Sequence, residues 1–186
     1  PGWRDVITKL VILDRDGVIN HDSDAFIKSP DEWLPIDGSL EAIARLNYHG
    51  YTVVVATNQS GLARKLFDID TLASIHEKMY GLLEKAGGQV DAVFYCPHGP
   101  DDGCTCRKPK PGMLLDIGQR YNISLKDTWF IGDSVRDIEA AISANAMPIL
   151  VRTGKGEKAE KILHSEGKKD VPVYEDLAAA VDAIVQ

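Results

Sequence analysis

The chain has 186 residues, 44% of them apolar, and 28 Asp+Glu against 21 Lys+Arg give it a formal charge of −7. That size and apolar share suit one globular unit with its own core and exclude a disordered chain. The acidic balance excludes a general binder of nucleic acid or of membrane surfaces, which needs basic stripes, so any anionic ligand has to be met by local cations.

No apolar run is long enough to cross a membrane and no signal-peptide pattern opens the chain, which predicts a cytoplasmic protein. The first apolar run, Leu10 to Leu13, predicts a strand, and a helix follows over Leu40 to Tyr48, started at Ser39 and stopped at Gly50. Next come a strand over Thr52 to Ala56, a helix over Ile69 to Ala86 and a strand over Ala92 to Tyr95. Pro111 opens a helix over Met113 to Arg120, followed by a strand over Thr128 to Ile131 and a helix over Val135 to Asn145. The last strand is Ile149 to Val151 and the last helix Glu175 to Val185, with Gly154 to Lys169 between them, rich in Lys, Glu and Gly, as a solvated helix or loop. Alternating strands and helices predict an α/β fold, a Rossmann-like three-layer sandwich around a central parallel sheet. No repeat or linker interrupts it, so residues 1–186 are expected to form a single domain.

In such sheets ligands bind at the carboxyl ends of strands, and here those ends carry polar residues. The first gives Asp14, Arg15, Asp16 and Gly17, the second Thr57, Asn58, Gln59, Ser60 and Gly61, and the fourth Gly132, Asp133 and Ser134 with Asp137 beyond; Arg107 and Lys108 precede another helix. Two carboxylates at alternate positions can share one cavity if a cation is present, yet Asp14 and Asp16 also fit an Asx turn. Asp133 and Asp137 can complete an oxygen shell for Mg²⁺, or cap a helix. Thr57 and Asn58 offer a hydroxyl, an amide and backbone N–H groups to phosphate oxygens, or make a turn. Lys108 can serve as a fixed charge and Arg107 as a planar fork, or both can lie in a solvated loop.

The three cysteines, Cys96, Cys104 and Cys106, fall within eleven residues, with His98 among them. An odd number of thiols cannot all pair, whereas three thiolates and an imidazole fill a tetrahedral Zn²⁺ shell. A closed shell leaves no place for an activated water, so residues 96–106 are expected to be a structural zinc loop that fastens Arg107 and Lys108. His21, His49, His76 and His164 have no such neighbours and read as surface or packing residues, as do Trp3, Trp33 and Trp129.

The ordered set Asp14-Arg15-Asp16-Gly17, Thr57-Asn58, Lys108 and Gly132-Asp133 with Asp137 resembles the four motifs of the haloacid dehalogenase superfamily of phosphotransferases. The zinc loop running into Arg107-Lys108-Pro109-Lys110-Pro111-Gly112 resembles its branch of sugar-bisphosphate phosphatases, related to the histidinol-phosphate phosphatases. The resemblance implies that Asp14 is the nucleophile, Asp16 the general acid and then base, and Thr57 and Lys108 the groups that stabilise the phosphoryl. It also implies Mg²⁺ on Asp14, the Asp16 backbone carbonyl and Asp133, and a heptose 1,7-bisphosphate that loses its 7-phosphate. Only about twenty residues separate Asp16 from the helix near Ser39, too few for a large cap domain, so loops are expected to set specificity. The substrate-binding set is then Asp22, Ser23, Asp24, Ala25, Thr57, Asn58, Gln59, Ser60, Arg107, Lys108 and Ser134. A monomer acting on a small phosphorylated sugar, without nucleic-acid or membrane partners, is expected. Histidinol-phosphate hydrolysis is the alternative enzyme, and a phospho-accepting receiver or a purely structural zinc protein the alternatives of another class. Asp16 argues against a receiver, since a second carboxylate beside the acceptor promotes hydrolysis.

Overall fold

A run such as Leu10–Leu13, apolar at every position, fits a strand buried on both faces, and all four residues are buried. The computed structural model describes residues 9–186, so Trp3 lies outside the described residues. Six parallel strands, β1 (Leu10–Leu13), β2 (Thr52–Asn58), β3 (Ala92–Cys96), β4 (Trp129–Gly132), β5 (Met147–Val151) and β6 (Val173–Tyr174), lie in the order β3-β2-β1-β4-β5-β6. Val11 pairs with Val53 on one side and Trp129 on the other, and Leu13 with Val55 and Ile131.

Alternation along β1 divides the core into two. Val11 and Leu13 pack with α1 (Ser39–Tyr48), α2 (Ile69–Lys85) and α6 (Leu177–Val185), while Leu10 and Ile12 pack with α3 (Gly112–Arg120) and α4 (Val135–Ser143). The result is the three-layer arrangement expected. Between β1 and α1 the only regular element is a short 3₁₀ turn, Pro30–Glu32, so no large cap covers the strand ends. The chain moves from β1 to β2 on one side and later to β4 on the other. This reversal opens a crevice at the carboxyl ends of β1, β2 and β4.

Several boundaries differ from expectation for local reasons. β2 runs on through Thr57 and Asn58 because they pair with Tyr95 and Cys96. Helix α4 stops at Ser143, ahead of Asn145, whose φ of 59° leaves the helical region. Helix α6 starts only after Asp176, whose side chain accepts the Ala179 N–H. Ser39 does not cap α1: it is the first helical residue, and its hydroxyl donates to the Val18 carbonyl. The Lys/Glu-rich segment forms α5 (Gly156–Ser165), anchored by Ala159 and Leu163 against Ile138 and Leu150. Trp33 is wholly buried, a packing residue at the core rather than at the surface.

Candidate active site

Asp14 follows β1 directly, and its backbone N–H donates to the Ile131 carbonyl, which prolongs the pairing with β4. Its Oδ1 accepts the Arg15 N–H at 2.8 Å and meets Lys108 Nζ at 3.0 Å. Lys108 is buried with all its donors engaged, on Asp14, on Asp137 Oδ1 at 2.7 Å and on the Ala56 carbonyl at 3.0 Å. Burial alone would discharge it, but the carboxylates of Asp137 and Asp14 outweigh burial and hold it protonated above its ordinary range. The reverse holds for Asp14, where burial, then the charge of Asp137, raise the pKa well above the usual carboxylate range despite Lys108.

Asp137 is spoken for. Its Oδ2 accepts from the N–H groups of Asp133 and Ser134 and from the Ser134 hydroxyl, closing a capping box at the start of α4. Lys108 and this cap overcome burial and keep its pKa low. The capping alternative therefore describes Asp137 and Ser134, not Asp133. Asp133 lies in a glycine cradle: a Cβ on Gly17 or Gly154, both at positive φ, would come within 2.0 and 2.2 Å of its Oδ2. Its one protein donor there is the Lys155 N–H at 3.0 Å. Burial, then the charge of Asp137, push Asp133 up to about 7.

Asp16 points its Oδ1 at Arg15 Nε, 2.8 Å, and Asn20 Nδ2, 2.9 Å. Thr57 is buried, and its hydroxyl oxygen accepts from Gln59 Nε2 at 3.0 Å. The Asn58 amide, expected from sequence to be offered to phosphate oxygens, is instead spent on the backbone of Lys108. Its Nδ2 donates to the Lys108 carbonyl at 3.1 Å and its Oδ1 accepts the Lys108 N–H at 3.0 Å, so it fixes the lysine across 50 residues of chain.

These groups line an open cavity of about 260 Å³. Asp22, Ser23, Asp24, Thr57, Asn58, Gln59, Ser60, Arg107, Lys108 and Ser134 all reach its wall, but Ala25 does not. The Ser134 hydroxyl is spent on Asp137, and Asp22 is paired with Lys155 at 3.5 Å. Five further lining residues, Phe26, Ile27, Arg64, Arg136 and Lys155, escaped the sequence reading. Basic residues following the Ser60-Gly61 turn and at the first turn of α4 were the available signal. His76 is buried, one of the two places expected for it, and its Nε2 also lies 3.2 Å from Arg15 Nη1.

Two groups of residues suit a metal. Oxygens of Asp14, Asp133 and Asp137 converge within 4.8 Å, but with Asp137 committed to Lys108 the donors left for a hard cation are Asp14 and Asp133. Cys96, His98, Cys104 and Cys106 also converge within 4.8 Å, and none is in a disulfide. Cys96 Sγ is 3.7 Å from Cys104 Sγ, near the roughly 3.8 Å edge of a tetrahedron with Zn–S bonds of about 2.3 Å, whereas Cys106 Sγ donates to Cys96 Sγ at 2.8 Å and would have to move out to join such a shell. Burial and the neighbouring sulfurs push the Cys106 thiol up to about 12, a crowding that a bound cation relieves.

An anion-handling crevice at the switch point of a parallel sheet, with paired carboxylates around a buried lysine, is the layout of a phosphotransfer hydrolase. Residues 105–180 match the HAD-hydrolase-like family. The chain is 56% identical to the D-glycero-β-D-manno-heptose-1,7-bisphosphate 7-phosphatase of Bordetella bronchiseptica, over 96% of this chain and 98% of the relative. The protein of that name from Pseudomonas aeruginosa is 52% identical over 95% and 98%. The crystal structure of the B. bronchiseptica phosphatase complexed with magnesium and phosphate superposes with a TM-score of 0.91, covering 96% of this chain and 99% of that one. The D,D-heptose 1,7-bisphosphate phosphatase of Burkholderia thailandensis, 44% identical, gives 0.75 over 96% and 99%. The chain belongs to the D,D-heptose 1,7-bisphosphate phosphatase family of HAD-like hydrolases.

Proposed function

We propose that the protein hydrolyses the 7-phosphate of D-glycero-β-D-manno-heptose 1,7-bisphosphate, a step in making heptose precursors of the lipopolysaccharide core. The observation that carries this is the near full-length identity with phosphatases of that name, joined to a site in which Asp14 and Lys108 sit 3.0 Å apart at the head of an open cavity. Asp14 is the nucleophile: its carboxylate attacks phosphorus and forms an aspartyl-phosphate as the sugar oxygen departs. Asp16 gives that oxygen a proton, then takes one from the water that hydrolyses the intermediate. Lys108, its hydrogen bonds spent on Asp14, Asp137 and the Ala56 carbonyl, stabilises the phosphoryl as a fixed positive charge beside Asp14, Thr57 holds phosphoryl oxygens, and Asp137 and Asn58 hold Lys108. Mg²⁺ would sit on Asp14, Asp133 and the Asp16 carbonyl, and when bound it supplies positive charge to the transferring phosphoryl. Zn²⁺ on Cys96, His98, Cys104 and Cys106 would be structural. The reading takes residues 1–186 as one domain of a cytoplasmic monomer.

Turnover of both anomers of the bisphosphate, of histidinol phosphate and of common sugar phosphates tests the reading. The β-bisphosphate should give the highest kcat/KM, with ³¹P spectra showing the 1-phosphate retained. A preference for histidinol phosphate, or loss of the 1-phosphate, overturns it.

A further inference from the structure

Arg15 is among the largest side chains that the fold buries completely, and it bridges β1 to α2. Its Nε donates to Asp16 Oδ1 at 2.8 Å, its Nη2 lies 2.8 Å from the same oxygen as an ion pair without hydrogen-bond alignment, and its Nη1 faces Nε2 of His76 at 3.2 Å. An arginine has only donors, so the facing ring nitrogen accepts and the imidazole is neutral. Burial, then the charge of Arg15, hold the His76 pKa down to about 4, in keeping with that state. Asn20 Nδ2 adds another donor to Oδ1 at 2.9 Å, whereas Asp16 Oδ2 has only a long contact from Gln59 Nε2 at 3.4 Å. Burying a guanidinium is a poor route to stability, since an apolar side chain of similar volume does as well or better. What the pair does supply is a fixed carboxylate.

We propose that His76 and Arg15 are positioning residues for Asp16. His76 orients the guanidinium, the guanidinium and Asn20 saturate Oδ1, and proton transfer is confined to Oδ2. The inference rests on the reading of Asp16 as acid and then base. As the bond from phosphorus to the sugar oxygen breaks and the bond to Asp14 forms, the proton on Oδ2 passes to the departing oxygen. When water attacks the aspartyl-phosphate, its proton returns to Oδ2, releasing inorganic phosphate and the Asp14 carboxylate.

The test exploits leaving groups, because kcat/KM reports only the steps through phosphoryl transfer to Asp14. A sugar alkoxide needs the proton as it departs, and the phenolate of p-nitrophenyl phosphate does not. His76→Leu should lower kcat/KM for the heptose bisphosphate about tenfold or more, and for p-nitrophenyl phosphate by no more than about twofold. His76→Gln, whose amide oxygen can accept from Arg15, should recover most of the loss. Arg15→Lys keeps the charge but loses the planar fork, and should show the same split if His76→Leu does not fold. Equal losses on both substrates, or wild-type values in His76→Leu and Arg15→Lys alike, overturn the proposal. Asp16→Asn, measured in parallel, should show the same split and a larger one. If Asp16→Asn affects both substrates equally, the acid–base reading itself fails; if only the His76 and Arg15 variants lack the split, the positioning proposal fails alone.

Discussion

The carboxylate cluster and the cysteine cluster both converge on a point that suits a cation, yet they are built in opposite ways. Asp14 and Asp133 at the ends of central strands and Asp137 in the first turn of α4 are all buried, and the fold places a cation of its own, Lys108, between two of them. Only Cys96 of the other set is buried; His98, Cys104 and Cys106 are half-exposed on a loop leaving the edge strand β3. Arg107 lies near enough to feel the charge of Cys96 and Cys104, but it is half-exposed on the loop and not buried between them as Lys108 is between Asp14 and Asp137. A site with an internal countercharge keeps its shape without a metal and needs one for chemistry, whereas a set of thiols without one needs the metal for its shape. Removing each ion should therefore do different things.

The largest effects fall on the first cluster. Asp14→Asn should reduce turnover to background while the protein melts cooperatively near the wild-type temperature, measured by steady-state assay and circular dichroism; retained activity would break the covalent mechanism. Asp137→Ala strips a buried lysine of its partner and α4 of its cap, and should cost about 3–5 kcal/mol in denaturant unfolding. A loss below about 1 kcal/mol would show that Lys108 relaxes onto Asp14 and that the internal countercharge is not the organising feature.

The second cluster should respond through metal content. Elemental analysis of wild type purified without added metal should find one zinc per chain; Cys104→Ser should lose it and should make residues 97–106 labile to protease, with the sheet intact. Exchanging wild type into Mg²⁺-free buffer without a chelator should stop turnover and leave that loop protected. A zinc-free, fully active, protease-resistant preparation would erase the contrast between the two clusters.

The strand ends were legible in sequence because each continuous apolar run stops where polar groups begin, and that placed Asp14, Thr57 and Asp133 at one crevice. β6 was not: Val173 and Tyr174 are only two residues after a proline, too few for any periodicity, and they form a strand because Leu150 and Val151 offer an open edge. Helix α5 was obscured because only Gly156, Ala159 and Leu163 face inward from a Lys- and Glu-rich stretch. In the site, residue types were readable but their partners were not. Asn58 looks like a phosphate donor until Lys108 is folded against it, and His76 looks like packing until α2 brings it to Arg15, 61 residues away. Such pairings exist only after the crossover connections have closed.

The smallest expected effect is the most selective, and it concerns the part of the cavity wall built from arginines. Arg64, Arg107 and Arg136 line that wall, and among the described residues none has a carboxylate partner. Burial, then the nearby charge of Arg136, with a smaller push from Arg64, lower the Arg107 pKa, so these cations crowd one another. Arg107 is held to the zinc loop by its Nη1, which donates to the His98 carbonyl at 3.3 Å, and Arg64 rests on the Phe26 ring. The transferring phosphoryl already has Lys108 and Thr57, so an unpaired guanidinium farther along the cavity suits a second phosphate on the same substrate. Arg107→Ala should then lower kcat/KM for the bisphosphate about 10- to 100-fold, the worth of one or two hydrogen bonds to a charged group, while sparing small monophosphate esters. Cys104→Ser should reproduce part of this loss, because it frees the loop that aims Arg107. If Arg107→Ala instead reduces both substrate types in equal proportion, the arginine serves the reacting phosphoryl group, and the division of the cavity into a reacting end and a recognition end is wrong.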